Sequence, residues 1–273
     1  MLPLRERFPA PAVMGVLNVT PDSFSDGGAF LDAEAAVAHG LRLAGEGADV
    51  LDVGGESTRP GSDPVPLEVE LERVVPVIER LVDATDVPIS IDTVKAAVAA
   101  RAIRAGAGFV NDVSALRHDP AMAGVIAEAG LPVCLMHMLG EPKTMQRDPR
   151  YRDVVAEVSA FLAERVEFAR ASGISPDQIC IDPGIGFGKT GAHNLTLLRH
   201  LDRLVAVGPP VLVGASRKSF LGALTGEPEA SREVATVAVN LDAARRGAWM
   251  LRVHAVTPTR QALAVAAAIE AAP

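Results

Sequence analysis

The chain has 273 residues, with 26 Lys and Arg against 34 Asp and Glu, which gives a formal net charge of −8 at pH 7. An acidic chain of this kind is a poor general binder of nucleic acid or of an anionic membrane, so an anionic ligand must meet a local cluster of basic groups. Hydrophobic residues make up 49% of the chain and aromatic residues only 4%, which predicts a large and mostly aliphatic core.

Cysteine usage and the apolar pattern indicate a cytoplasmic protein. Cys134 and Cys180 each lie inside an apolar run, so we expect two buried thiols and no disulfide framework. The N-terminal segment lacks the continuous apolar stretch of a secretory signal. No uninterrupted apolar stretch reaches the roughly 20 residues that a membrane-spanning helix needs. We therefore expect neither a membrane partner nor a nucleic-acid partner.

Eight short apolar runs predict β-strands. They are rich in Val and Ile and lack strict alternation, which is typical of parallel strands buried on both faces. In chain order the runs are Val13–Val19, Val50–Gly54, Pro88–Ile91, Phe109–Val113, Val133–Met138, Ile179–Ile181, Val211–Gly214 and Met250–Val253.

The segments between these runs predict helices. Apolar residues recur at helical spacing in Ala33–Glu46, Leu67–Asp83 and Val154–Ser172. Helix-start signals stand at Asp119-Pro120, Ser175-Pro176 and Thr257-Pro258. Alternating strands and helices of this number and length predict an α/β protein with one (β/α)8 TIM barrel spanning residues 1–273.

A doubly wound open sheet is the alternative fold. It is disfavoured because Asn18-Val19-Thr20-Pro21 follows the first strand, where such sheets often carry a glycine-rich fingerprint. Two predicted βα loops, Thr20–Asp32 and Gly54–Pro66, are long. Long loops at this end of a barrel are candidates for mobile active-site lids.

Polar residues stand at the carboxyl end of every predicted strand. Taken singly, each is also a common turn former or helix cap, and His137 alone is more typical of a hydrogen-bonded core residue. In a barrel, however, these ends converge on one mouth, where active sites lie. The residues are Asn18, Gly54–Arg59, Asp92, Asn111, Asp112, His137, Asp182, Ser216–Lys218, Arg252 and His254.

The chemistry of this set suggests two subsites. Asp92, Asn111, Asp182 and Lys218 combine acceptors with a donor and suit a flat heterocycle that carries both kinds of group. A second group, Asn18 with Arg252 and His254, comes from the first and last strands, which are neighbours in a closed barrel. Arg and His can donate to phosphate oxygens, and an Asn oxygen can bind Mg²⁺ while phosphates complete its shell. We therefore predict a pyrophosphate–Mg²⁺ subsite beside a heterocycle subsite.

Other motifs do not fit. Gly184–Thr190 resembles a phosphate-binding loop but is too short for one. Gly214–Lys218 lacks the final glycine of a hydrolase nucleophile elbow. No His and Cys spacing resembles a zinc site.

Seven motifs in order resemble the dihydropteroate synthase family, and the resemblance runs from about Met14 to about Thr257. The first is the most specific, because it fixes a long uninterrupted run of residue types. The motifs are Met14–Gly28, Asp52–Gly61, Ser90–Thr93, Asn111–Ser114, Asp182–Phe187, Gly214–Lys218 and Arg252–His254.

The resemblance implies a role for each residue. Asp92, Asn111, Asp182 and Lys218 would bind a pterin. Asn18 would hold Mg²⁺, and Arg252 and His254 would hold pyrophosphate. The residues expected to shape a p-aminobenzoate site are Thr58, Arg59, Pro60, Phe187, Lys218 and Ser219.

The resemblance also implies a reaction: the joining of a pterin pyrophosphate to p-aminobenzoate with release of pyrophosphate, in a homodimeric enzyme. Lys218, Arg252 and His254 would stabilise the departing pyrophosphate, and Asp26 would stabilise the pterin cation. The first loop, with Phe24 and Asp26, would fold over the reacting carbon. An arylamine is neutral at pH 7 and needs no strong base, in keeping with the lack of a nucleophile–histidine–acid triad. Dissociative and concerted displacement both stay open.

Two other functions are weighed against this one. A pterin-binding methyltransferase domain would share the barrel, but not the long first loop and the pyrophosphate group. A non-catalytic pterin-binding paralogue would be expected to lose Asn18, Lys218 or the Arg252–His254 pair. Two positions depart from the family pattern, Leu139 and Ala255, where a polar residue and an aspartate are more usual.

Overall fold

The computed structural model describes residues 2–8, 10–20, 28–59 and 61–273, and side chains are described in these ranges except at positions 28–32. Phe24, Asp26 and Pro60, all predicted site residues, lie outside the described residues.

Eight parallel strands form one sheet. In chain order they are β1 (Ala12–Asn18), β2 (Val50–Gly54), β3 (Ile89–Asp92), β4 (Phe109–Asp112), β5 (Val133–Met136), β6 (Ile179–Asp182), β7 (Leu212–Val213) and β8 (Met250–Val253). Neighbouring strands follow the order β6-β5-β4-β3-β2-β1-β8-β7. A bridge between Ile181 and Val211 joins the two ends, and the Ile181 N–H donates to the Pro210 carbonyl at 2.9 Å. The predicted TIM barrel is confirmed.

Helices separate the strands and cover the barrel. They are α1 (Leu4–Arg7), α2 (Gly28–Gly45), α3 (Leu67–Ala84), α4 (Ala96–Arg104), α5 (Met122–Ala129), α6 (Val154–Ala171), α7 (Gly191–Arg199), α8 (Leu201–Val205), α9 (Ser219–Thr225), α10 (Glu233–Arg245) and α11 (Val256–Glu270).

The helix boundaries follow local chemistry. Asp153 caps α6, because its side chain accepts hydrogen bonds from the N–H groups of Val155 and Ala156. The Ser175-Pro176 signal begins a short 3₁₀ helix, Pro176–Gln178. The first loop was predicted to run from Thr20 to Asp32, but α2 already begins at Gly28. That helix therefore takes in the last residues assigned to the loop from the sequence.

Two apolar layers fix the barrel. The larger layer packs the outer faces of the strands against the helices. The smaller one fills the amino-terminal end of the barrel, where Leu4 and Phe8 from the α1 region pack with Trp249. The Trp249 indole N–H donates to the Phe8 carbonyl at 2.9 Å. Cys134 and Cys180 are buried and free in this layer, as predicted.

The amino-terminal end of the barrel is thus closed by apolar residues, and the carboxyl end is where the polar side chains gather. Within the described ranges, no helix is both long enough and apolar enough to cross a membrane.

Candidate active site

Strand register brings the predicted residues together at the carboxyl end of the barrel. Gly54 on β2 lies beside Asp92 on β3, and Asp92 lies beside Asn111 on β4. On the other side, Met136 at the end of β5 pairs with Asp182 at the end of β6. The polar residues on β3, β4 and β6 therefore face one space.

Arg252 of β8 reaches into this space and binds two carboxylates. Its Nε donates to Asp52 Oδ2 at 2.6 Å and its Nη2 donates to Asp92 Oδ2 at 2.8 Å. Asn111 Nδ2 donates to the same Asp52 oxygen at 3.0 Å. Arg252 was predicted to bind pyrophosphate. In the structure it is hydrogen-bonded to Asp92, which was predicted to bind the heterocycle.

Asp52 was not among the predicted site residues. The signal that could have revealed it is a carboxylate inside the apolar strand Val50–Gly54, because a fully buried acid is rare unless it is paired.

The two carboxylates keep acceptors free for a ligand. Oδ1 of Asp52 and Oδ1 of Asp92 are buried and accept no hydrogen bond from the described residues. The pKa of Asp92 is raised to about 7, chiefly by burial; the Arg252 charge opposes the shift, and the charges of Asp52, Glu70 and Asp112 add to it. Buried acceptors of this kind suit the N–H groups of a heterocycle.

Asp182 and Lys218 face the same space from β6 and from the segment after β7. Burial raises the pKa of Asp182 to about 6, although the Gly184 N–H, which donates to Oδ1 at 2.6 Å, and the Lys218 charge oppose the shift. The pKa of Lys218 is lowered to about 8, chiefly by burial and also by the Arg252 charge, while the Asp182 charge opposes the shift. The Lys218 ammonium lies 4.0 Å from the centroid of the Phe187 ring, a cation–π contact.

The loop after β6 demands a glycine at its first turn. Gly184 has φ of 68°, and a Cβ atom there would lie 1.9 Å from the His137 carbonyl oxygen. This close approach lets the Asp182 side chain cap the turn.

His254 follows β8 and is held by Ser216. The backbone N–H of His254 donates to Ser216 Oγ at 3.2 Å, and the imidazole Nδ1 of His254 lies 2.9 Å from the same oxygen. The pKa of His254 is lowered to about 3, chiefly by burial and also by the charges of Arg252 and Arg217. The imidazole is therefore neutral at physiological pH. Asn18 ends β1, the strand next to β8, with a partly exposed side chain.

The residues predicted for p-aminobenzoate are only partly gathered. Phe187 and Lys218 are in contact. Thr58 is half-buried and Ser219, the first residue of α9, is exposed. Arg59 donates from Nη2 to Glu229 Oε1 at 3.1 Å, with both side chains largely exposed. In this structure the Arg59 guanidinium is thus engaged at the surface.

The second loop is anchored by an ion cluster that was not predicted. Lys95 binds both Glu56, on the loop, and Glu70, on α3. The Thr93 hydroxyl donates to Glu70 Oε1 at 2.7 Å. Because Glu70 is 1% exposed, this cluster ties the base of the loop that carries Thr58 to the body of the protein.

His137 lies just beyond β5 and is paired with a buried lysine. Lys189 Nζ lies 2.8 Å from His137 Nδ1 and donates to the Phe187 carbonyl at 3.0 Å. Burial lowers the pKa of Lys189 to about 7, and the pKa of His137 falls to about 3 for the same reason and because of the Lys189 charge. His137 is thus a hydrogen-bonded interior residue, and Lys189 positions the backbone next to Phe187.

The described side chains form no metal cage of their own. No group of three or more His, Cys, Asp and Glu residues among them is placed to hold a metal ion. The single amide oxygen of Asn18 fits a hard cation whose other ligands come from phosphate oxygens and water.

The chain resembles known proteins over nearly all of its length. It matches the model of the pterin binding enzyme family over residues 14–254. Dihydropteroate synthase of Mycobacterium leprae is 51% identical over 263 residues, which cover 94% of this chain and 92% of that protein. The Escherichia coli K12 dihydropteroate synthase is 45% identical over 255 residues, covering 93% and 90%.

Solved structures agree. A Xanthomonas albilineans dihydropteroate synthase with 4-aminobenzoic acid superposes with a TM-score of 0.92 at 55% identity, covering 97% of this chain and 95% of that one. The same enzyme in complex with 7,8-dihydropteroate gives a TM-score of 0.88 at 52% identity, with the same coverage. The predicted resemblance is confirmed: this chain belongs to the pterin-binding enzyme family, among the dihydropteroate synthases.

Proposed function

We propose that the protein joins 6-hydroxymethyl-7,8-dihydropterin pyrophosphate to p-aminobenzoate, giving 7,8-dihydropteroate and pyrophosphate in folate biosynthesis. The observation that carries this proposal is the arrangement of Asp92, Asn111, Asp182 and Lys218 around one buried space at the barrel mouth. The relatives solved with 4-aminobenzoic acid and with 7,8-dihydropteroate support it.

The pterin ring would lie against the buried carboxylates. The free Oδ1 atoms of Asp52 and Asp92 are acceptors, and Lys218 is a donor. A pterin presents ring and exocyclic N–H groups as well as a carbonyl oxygen, so it can satisfy both. Binding would therefore relieve buried oxygen atoms that lack partners in the described structure.

Arg252 can serve both subsites. A guanidinium has five N–H donors, and the hydrogen bonds to Asp52 and Asp92 use two of them. The remaining donors are sufficient for pyrophosphate oxygens. When Ser216 donates its hydroxyl proton to His254 Nδ1, Nε2 keeps its proton and becomes a neutral donor beside Arg252.

Asn18 is the residue that would hold Mg²⁺ at the pyrophosphate end. The metal, when bound there, supplies positive charge that stabilises the departing pyrophosphate. We expect excess EDTA to abolish activity. Asn18→Ala should weaken binding of the pterin pyrophosphate more than binding of the free pterin alcohol, and equal losses would exclude Asn18 from the phosphate end.

The reaction breaks the bond between the pterin methylene carbon and the pyrophosphate oxygen, and that oxygen keeps the electron pair. The arylamine nitrogen of p-aminobenzoate then forms the new C–N bond and releases a proton to solvent. Arg252, Lys218 and His254 would stabilise charge on the leaving group, and Asp26 would stabilise the cationic carbon. We favour the dissociative order of these events over a concerted displacement.

The p-aminobenzoate ring would pack on Phe187, next to the Lys218 stem. Thr58, Arg59, Pro60 and Ser219 would complete this subsite around the carboxylate. Lys218 would thus contact both substrates, which its position against the Phe187 ring supports.

Pyrophosphate release tests the function. The assay combines purified protein, the pterin pyrophosphate, p-aminobenzoate and Mg²⁺, and the control omits p-aminobenzoate. Release that depends on p-aminobenzoate, with dihydropteroate as product, is the expected result. Methyl transfer from a reduced folate would support a methyltransferase domain instead, and pterin binding without turnover would support a non-catalytic paralogue.

We also propose a cytoplasmic homodimer. Exposed apolar side chains on the outer helices support self-association, among them Val234 on α10 and Val265 and Ile269 on α11, which are 82%, 61% and 64% exposed. Two buried free thiols fit a reducing compartment. Light scattering on the purified protein tests the dimer, which a monomer mass would contradict.

A further inference from the structure

Asp52 lies on β2, two residues before the strand ends, and its side chain is fully buried. Every other residue of that strand is apolar or glycine. A buried carboxylate is costly unless hydrogen bonds satisfy it. Its partners therefore indicate why the strand carries it.

One Asp52 oxygen fixes two pocket side chains. Oδ2 accepts from Asn111 Nδ2 at 3.0 Å and from Arg252 Nε at 2.6 Å. A carboxylate paired with a guanidinium only accepts, so Asn111 must turn its NH₂ group towards Asp52. The Asn111 carbonyl oxygen is then left for another partner.

Asp52 also shares Arg252 with Asp92. The guanidinium bridges the two carboxylates, because its Nη2 donates to Asp92 Oδ2 at 2.8 Å. Held from both sides, Arg252 leaves Asp92 Oδ1 without a partner among the described residues. If Asp52 were removed, the Arg252 guanidinium would lose one of its two carboxylate partners and keep only Asp92.

We propose that Asp52 is a positioning residue for pterin recognition: it turns Asn111 to present an acceptor, and it holds Arg252 so that Asp92 keeps one oxygen for the pterin. This inference rests on the proposed function, since it assumes a pterin substrate. Asp52 acts through its neighbours and sets the donor and acceptor pattern that the ring meets.

Asp112 provides the contrast, and it is equally buried on the neighbouring strand β4. Its oxygens accept from the Ser114 N–H and hydroxyl and from the Leu116 N–H, so it shapes the loop after β4. The Asp52 hydrogen bonds go to the side chains of Asn111 and Arg252 instead. Asp112→Asn is therefore the matched control for the change in affinity alone, because the Asp112 charge, like that of Asp52, raises the pKa of Asp92.

Calorimetry with the free pterin alcohol is the first test. Asp52→Asn keeps the side-chain shape but places an amide beside the Asn111 amide and Arg252. We expect the dissociation constant to rise at least about tenfold, as for a buried hydrogen bond lost in a network. The KM for p-aminobenzoate should change less than about twofold, and Asp112→Asn should bind the pterin alcohol almost like the wild type.

The pH dependence of binding separates positioning from a folding defect. The charged groups facing Asp92 are Asp52 on β2, Glu70 on α3, Asp112 on β4, Arg252 on β8 and Lys218 after β7. Removing the Asp52 charge lowers the pKa of Asp92, because one repulsion is lost and Arg252 pairs with Asp92 alone. The acid limb of pterin affinity should then move to lower pH.

The outcomes are distinct. A wild-type protein that does not bind the pterin alcohol would contradict the proposed function, and this inference with it. Wild-type binding together with unchanged affinity and an unmoved acid limb in Asp52→Asn would overturn the positioning role alone, as would equal losses in Asp112→Asn. Should Asp52→Asn fail to fold, Asp52→Ser, which keeps a smaller acceptor, carries the same expectations.

Discussion

The barrel mouth has two unlike parts. The inner cluster comprises Asp52, Asp92, Asn111, Asp182, Lys218 and Arg252, which stand on strands except for Lys218, which directly precedes α9. Its members are linked by short hydrogen bonds and by charge. The outer part consists of the second loop, which carries Thr58 and Arg59, and of Ser219 at the start of α9, and these residues are half-buried or exposed. Their visible ion pair, between Arg59 and Glu229, is exposed at the surface and contributes little to stability.

This difference suggests how two substrates are handled. The inner cluster is preorganised before a ligand arrives. Mutual hydrogen bonds fix Asp52, Asp92, Asn111 and Arg252, the Gly184 N–H fixes Asp182, and Lys218 packs on the Phe187 ring. The outer loops can adjust, and Arg59 must leave Glu229 to reach an anionic substrate. The pterin should therefore meet a ready-made pocket, whereas we expect the proposed p-aminobenzoate subsite to be completed only when the loops close.

The largest expected effect is at Asp182. Asp182→Asn should reduce pterin affinity by a factor of about 30 or more, because an amide presents donors where the ring and the Gly184 N–H need an acceptor. Calorimetry with the pterin alcohol measures it. Thr196→Ala, on the outer surface of α7, is a control that should bind normally, and near-wild-type affinity of Asp182→Asn would remove that residue from the pocket.

Acid should weaken pterin binding. The pKa of Asp92 is raised to about 7 and that of Asp182 to about 6, so both carboxylates become protonated as the pH falls from 7.5 to about 5. Each then loses acceptor capacity. Because both folded-state pKa values are raised, protonation of these two groups stabilises the fold over the same range. Affinity measured against pH should fall towards acid, and a flat profile would contradict the assignment.

Substitutions in the outer part should act on the other substrate. Phe187→Leu removes a ring contact and Arg59→Ala removes a charge, so each should raise the KM for p-aminobenzoate several-fold. This corresponds to a loss of about 1 kcal/mol of binding free energy. The KM for the pterin pyrophosphate should move less than twofold. Steady-state kinetics with each substrate varied in turn checks this. Similar changes in both constants would mean that the two parts are not separate.

The smallest effect concerns Ala255, the N-cap residue of α11, which makes no side-chain cap hydrogen bond. Its extended backbone suits an aspartate cap. Ala255→Asp should raise the free energy of unfolding by about 1 kcal/mol, as N-caps do. Thermal or urea unfolding measures it. A less stable variant would show that the helix start cannot accept the carboxylate.

The barrel was predictable because its strands carry a strong apolar signal. β2 and β8 begin and end at the predicted residues. The end of β5 was predicted wrongly. The predicted strand Val133–Met138 is two residues longer than β5, which ends at Met136, because His137 turns away to pair with Lys189. The sequence does not reveal that pairing, because the two residues are far apart along the chain.

The gathering of polar side chains at the barrel mouth was predictable where a polar residue stands at or near the end of a strand. Asp92 and Asp182 end β3 and β6, and Asn111 is next to last in β4; strand register places Asp92 beside Asn111. Asp52 was missed because it lies inside a strand and its role depends on partners from β4 and β8. Side-chain direction across a barrel is set by packing, which no local pattern encodes.

Sulfonamide inhibition tests the division of the mouth most directly. A sulfonamide carries an arylamine opposite a polar anionic group, as p-aminobenzoate does. Inhibition kinetics should therefore be competitive with p-aminobenzoate and not with the pterin pyrophosphate. Sulfonamide binding should tighten when pterin and pyrophosphate occupy the inner cluster. Competition against the pterin substrate, or affinity indifferent to pyrophosphate, would contradict the account.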